Sequence, residues 1–136
     1  VATAPAFAST PRAASALLGA VETDLQVPTT TSTVFTAGAS GSKVEEIVVQ
    51  ASKGGTSLIA TTVAGLVYIF LHDGTTYHLF DTMTVTAVTA SATVPGLRLS
   101  NRYANLFLPS GWSVRMSQSH TTNASILKAT VLGADL

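Results

Sequence analysis

The chain has 136 residues, room for one domain with a real hydrophobic core and too few for two independent ones. Charged residues make up 10%, against roughly 25% in an average soluble protein; seven basic residues balance seven acidic ones, so no field favours nucleic acid or an anionic membrane. Cysteine is absent, which excludes disulfides and thiolate metal sites, and the longest apolar run is far short of the 18 or more residues of a membrane-spanning helix.

Residues 1–30 are dominated by Ala, Thr, Pro and Ser and read as an N-terminal arm preceding a β-domain at 31–136. The stretch VATAPAFASTPRAASALLGA lacks a basic segment followed by a compact apolar one and is not read as a signal peptide. Within it, Ser9-Thr10-Pro11 followed by RAASALLGA offers a cap, a Pro in the first turn and a stopping Gly19, which predicts one short helix. The arm either docks on a neighbouring subunit or a larger partner through Phe7, Leu17, Leu18 and Val21 or is a disordered terminus.

From Thr31 the texture is strand and turn. TSTVFTA (31–37) and KVEEIVVQA (43–51) read as strands, and the apolar parity of the second breaks at Glu45-Glu46, where a β-bulge would restore it. That Glu pair reads as a solvated edge. SKGGTSLIATT (52–62) reads as a loop, and its Lys-Gly-Gly-Thr lacks the spacing and following helix of a phosphate loop.

The centre is GLVYIFLHDGTTYHLF (65–80), a β-hairpin with a two-residue turn at Asp73-Gly74. Leu66 to Leu71 is apolar on both faces, whereas antiparallel sheets commonly wet one. The second face therefore needs a cover, either from the chain itself or from another subunit. The interface residues this nominates are Tyr68, Phe70, His78 and Phe80. A Thr-rich strand at 82–94 follows, bending near Ala90-Ser91, then an interrupted strand at 97–109 with its break at Ser100-Asn101. WSVRMSQS (112–119) alternates cleanly, and ILKATVL (126–132) closes the chain. About eight short strands separated by turns predict an all-β fold, an antiparallel β-sandwich or jelly roll.

No catalytic, cofactor or metal residues are nominated. His72, Asp73, His78 and Asp81 are the nearest approach to a metal set, but a two-residue turn would not let the two histidines face each other. No Gly-x-Ser-x-Gly elbow is present. Glu45 or Glu46 paired with Asp73 or Asp81 is the only weak carboxylate pairing for glycoside hydrolysis, and Trp112 reads as core rather than as a sugar platform.

VFTAGASGSKVEEIVV, LVYIFLHDGTTYHLF, VTAVTASATV and LFLPSGWSVRMSQS, in that order and spacing, resemble a group of small virion structural proteins of tailed bacteriophages and prophages. The resemblance spans about residues 33–119 and leaves out the arm. It implies a capsid decoration (cement) protein, non-enzymatic and without cofactors, located on the outer surface of the capsid. Its implied partners are the major capsid protein and copies of itself, most simply as a homotrimer. The alternatives are a tail, fibre or receptor-binding β-sandwich, or a secreted carbohydrate-binding module.

Overall fold

A computed structural model describes residues 8–19, 21–52 and 60–136. Its eight strands are β1 (Thr10–Leu17), β2 (Ser32–Thr36), β3 (Ser42–Ala51), β4 (Gly65–His72), β5 (Tyr77–Val85), β6 (Arg98–Leu108), β7 (Ser113–Gln118) and β8 (Leu127–Asp135), with one 3₁₀ turn at Thr121–Asn123. They form two four-stranded sheets, one ordered β1-β8-β3-β6 and the other β2-β7-β4-β5. All the pairings between strands are antiparallel. β4 and β5 are the one consecutive pair that shares a sheet; every other connection passes from one sheet to the other.

The core lies between the sheets. β3 contributes Val44, Ile47 and Val49, β8 contributes Leu127, Ala129 and Val131, β4 contributes Val67 and Ile69, and β7 contributes Val114 and Met116. Alternation at period two explains each of these sets. It breaks at Glu45, where β3 carries one more residue than β8, so Val44 opposes Gly133 and Glu46 opposes Leu132. This is the bulge anticipated from the sequence, and it lets Val44 and Ile47 both face inward.

Several expectations are corrected. The short helix is a strand: residues 10–17 pair with β8 along their whole length, from Thr10↔Asp135 to Leu17↔Lys128. An isolated helix of that length is marginal, whereas the free edge of β8 offers a complete ladder. Ala14 and Ala16 pack inward while Leu17 is exposed, an alternation a strand can use. Pro11 is accommodated because β1 is an edge strand.

The hairpin turn has four residues, not two. His72↔Tyr77 is the last strand pair, and Asp73 Oδ1 accepts from the amides of Thr75 and Thr76 at 2.8 and 2.7 Å. A carboxylate that ties down the next two or three amides favours this wider loop. β5 stops at Val85; residues 86–97 form no further strand and are held by the isolated bridge Thr61↔Thr89, by bonds from Thr62 N–H to Val88 O and from Ala51 N–H to Leu97 O, and by a turn in which Ser91 N–H bonds Val94 O. β6 runs unbroken through Ser100-Asn101, and its irregularity lies instead between Arg102 and Leu106, where two extra residues oppose the β3 bulge. Glu45 and Glu46 lie on an interior strand of their sheet, not at an edge. The Lys-Gly-Gly-Thr segment falls outside the described residues.

Candidate functional site

The four nominated interface residues do not form one patch. Tyr68 and Phe70 lie on the outward face of the second sheet, yet both are buried, Phe70 completely. The chain supplies cover of its own: the Tyr77 ring packs edge-on against Phe70 at 5.8 Å and lies 4.4 Å from His72. Tyr77 Oη accepts from Arg115 at 3.0 Å and meets the Thr31 hydroxyl at the same distance, which pins the ring across the sheet. Cover by the chain itself thus accounts for Phe70, while Leu66, on the same outward face of β4, stays 39% exposed. His78 points the other way, exposed, stacked 5.8 Å from Trp112 and 3.1 Å from Asp73. Phe80 is the extra residue of a bulge in β5, partly exposed, with its ring 5.3 Å from Tyr103.

Of the arm residues, Leu18 is fully buried in the chain's own core and Leu17 is half exposed. Val21 makes a parallel bridge to Gln118, and Phe7 lies outside the described residues.

One open, partly apolar surface was not legible as a unit in the sequence: the outward face of the first sheet. Register places Pro11, Ala134, Lys43 and Phe107 in one row across it, and Ala13, Leu132, Glu46 and Arg102 in the next. Phe107 is 52% exposed and Leu132 39%. The β1 and β8 half of these rows is small and apolar, while the β3 and β6 half is ion-paired, with Lys43 2.8 Å from Glu45 and Arg102 2.9 Å from Glu46. Where the β3 and β6 irregularities face each other, the surface opens into a cleft of about 550 Å³ lined by Glu45, Glu46, Arg102, Tyr103, Ala104 and Leu132. The lateral edges are protected against strand addition: β1 by Pro11, β2 by its short length, and β5 and β6 by their bulges.

Each of the seven carboxylates has a structural partner. Glu22 and Asp24 accept backbone amides of the β1–β2 connection, Glu45 and Glu46 are ion-paired, and Asp73 holds its turn. Asp135 accepts from Ser42 and Arg12. Asp81 Oδ2 accepts from Asn101 Nδ2 and Tyr103 Oη, each at 2.8 Å, linking β5 to β6 across the gap between the sheets. Burial and the adjoining Asp81 carboxylate push the Tyr103 hydroxyl above its ordinary pKa. Replacing Tyr103 with Phe is expected to cost about 1 kcal/mol, because Asp81 keeps Asn101; urea unfolding measures it.

Among the described residues no group of three His, Asp or Glu side chains is placed to hold a metal ion. His78 does approach Asp73, a contact the wider turn permits, but no third ligand joins them. Nor, among them, is any helix long and apolar enough to cross a membrane. Comparison of the chain with protein-family models, curated proteins and solved structures gives no match.

Proposed function

We propose that this chain is a bacteriophage capsid decoration protein, a non-catalytic component that binds the outer head surface as an oligomer and stabilises the shell by bridging capsomers. The supporting observation is the strand order. Sheets ordered β1-β8-β3-β6 and β2-β7-β4-β5, with nearly every connection crossing between them, fit a jelly roll of eight strands, and we read the sandwich as one. Jelly rolls recur in viral capsid proteins and in lectins.

In this reading the outward face of the first sheet, with Phe107 and Leu132, meets the major capsid protein. Self-association, taken as a homotrimer, draws on the exposed His78 and Phe80, since Tyr68 and Phe70 are already covered. A partner that binds only the assembled shell stabilises it by mass action. The purified protein is expected to cosediment saturably, as a defined oligomer, with capsids lacking it. The double substitution Phe107→Glu and Leu132→Glu should weaken that binding about tenfold or more, equivalent to at least roughly 1.4 kcal/mol, with the circular dichroism spectrum unchanged. Absence of binding to heads would overturn the proposal; because lectins share the architecture, a glycan array then tests the carbohydrate-binding reading.

A further inference from the structure

The tip of the β4–β5 hairpin is built on a buried imidazole. His72 ends β4 and is only 7% exposed. Its Nδ1 accepts the amide hydrogen of Gly74 at 3.2 Å, so the proton of the neutral ring resides on Nε2. Gly74 adopts φ +101°, a left-handed conformation that few other residues accept.

The groups around His72 come from three elements. From β5, the Tyr77 ring lies 4.4 Å away, and His78 is held by Asp73 Oδ2. From the turn, Asp73 uses Oδ1 on the amides of Thr75 and Thr76. From β7, Arg115 sits 5.5 Å from the Tyr77 ring centroid, donates to Tyr77 Oη and to Ser113, and has no carboxylate within salt-bridge distance among the described residues. Burial first, and then Arg115, hold the imidazole below its ordinary pKa of 6.5, with His78 adding to this and Asp73 opposing it.

We propose that His72 is an acid-sensitive latch: a proton on Nδ1 removes the acceptor of the Gly74 amide and sets a second cation near Arg115, which opens the four-residue turn and loosens Tyr77 from Phe70. The direction follows from linkage. The folded-state pKa is lowered, so the neutral ring stabilises the closed tip fully above pH 6.5, and that contribution is lost as pH falls from 6.5 through the folded-state value. Asp73 stays ionised throughout, because its hydrogen bonds from Thr76, His78 and Thr75 hold its pKa down at about 2.

The test is hydrogen exchange of the Gly74 amide, read as a protection factor by NMR from pH 7.5 to 5 on the full chain. Protection should be constant above pH 6.5 and fall by up to about tenfold per pH unit below it. His72→Asn, which keeps an acceptor for the Gly74 amide but cannot titrate, should flatten the profile, and His78→Asn should leave the fall in place. Arg115→Gln should bring the His72 titration closer to 6.5 and shrink the fall. A flat wild-type profile, a fall that survives in His72→Asn, or a folded-state His72 titrating at or above 6.5 would overturn the latch. Should His72→Asn fail to fold, the direct His72 titration and the Arg115→Gln profile decide.

Discussion

Gly133→Ala is expected to cost about 3 kcal/mol or more, enough to remove a large share of the stability of a domain of this size. Gly133 sits on β8, an interior strand, opposite Val44 and next to the β3 bulge. A Cβ built there would fall well inside contact distance of the Lys43 carbonyl oxygen, and it would also meet the Lys43 carbonyl carbon and the Val44 Cα at 3.2 Å. All three are backbone atoms, so no rotamer change relieves the overlap. The bulge would have to open, and with it the register that turns Val44 and Ile47 inward and Glu46 outward. Urea unfolding measures the loss. Gly19→Ala is the control, since among the described residues a Cβ there meets only the Ser125 hydroxyl at an ordinary 3.6 Å, and it should change stability by less than about 1 kcal/mol. A Gly133→Ala protein as stable as the control would mean that β8 does not need its close approach to β3.

The same bulge shows how far the sequence could be read. The parity break between Val44 and Ile47 is local, and a strand that must bury both has few alternatives, so the bulge and its position were legible. So was the alternation of β7, where Val114 and Met116 face the core. β1 was not legible because the deciding partner, β8, lies more than a hundred residues away in sequence; the local signals of Ser9 to Gly19 describe a helix whose competitor is nonlocal. The hairpin turn departs from a two-residue loop for a different reason. Asp73-Gly74 does carry the turn chemistry, with Gly74 at positive φ, but the Asp73 side chain recruits Thr75 and Thr76 and widens the loop.

The candidate surface was the least legible part. Phe107 and Leu132 come from different strands and share a face with Pro11 only through registers that pass across two bulges. Conversely, Tyr68 and Phe70 were visible as an apolar outward pair, but the cover of Phe70 by Tyr77 depends on Arg115 and Thr31 holding the Tyr77 hydroxyl. An apolar side chain on a strand marks a face that must be covered; pattern alone does not say by what.

Glu22→Gln should lower stability at neutral pH by about 3 kcal/mol and remove part of the acid sensitivity of the fold. Glu22 is buried in the connection that carries the chain from β1 in one sheet to β2 in the other. Its Oε1 accepts the amides of Thr23 and Asp24, and its Oε2 accepts those of Thr29 and Thr30 together with the Thr30 hydroxyl, all within 3.1 Å. One carboxylate thus closes the loop on itself, while the Glu22 amide and Val21 fasten it to Gln118 at the end of β7. A glutamine keeps one acceptor oxygen and turns an N–H₂ toward amides that are themselves donors, leaving two buried hydrogen bonds unmade. The backbone amides, that of Asp24 foremost and then that of Thr30, hold the Glu22 pKa down from 4.5 to about 2 against the opposing effect of burial. Because the folded-state value is depressed, the ionised group stabilises the fold fully above pH 4.5, and that stabilisation is lost as pH falls toward 2. Urea midpoints measured from pH 7 to 2 should therefore fall less steeply below pH 4.5 in Glu22→Gln than in the wild type, with the two curves converging at the acid end. Parallel curves across that range would mean that the Glu22 charge does not hold the crossover.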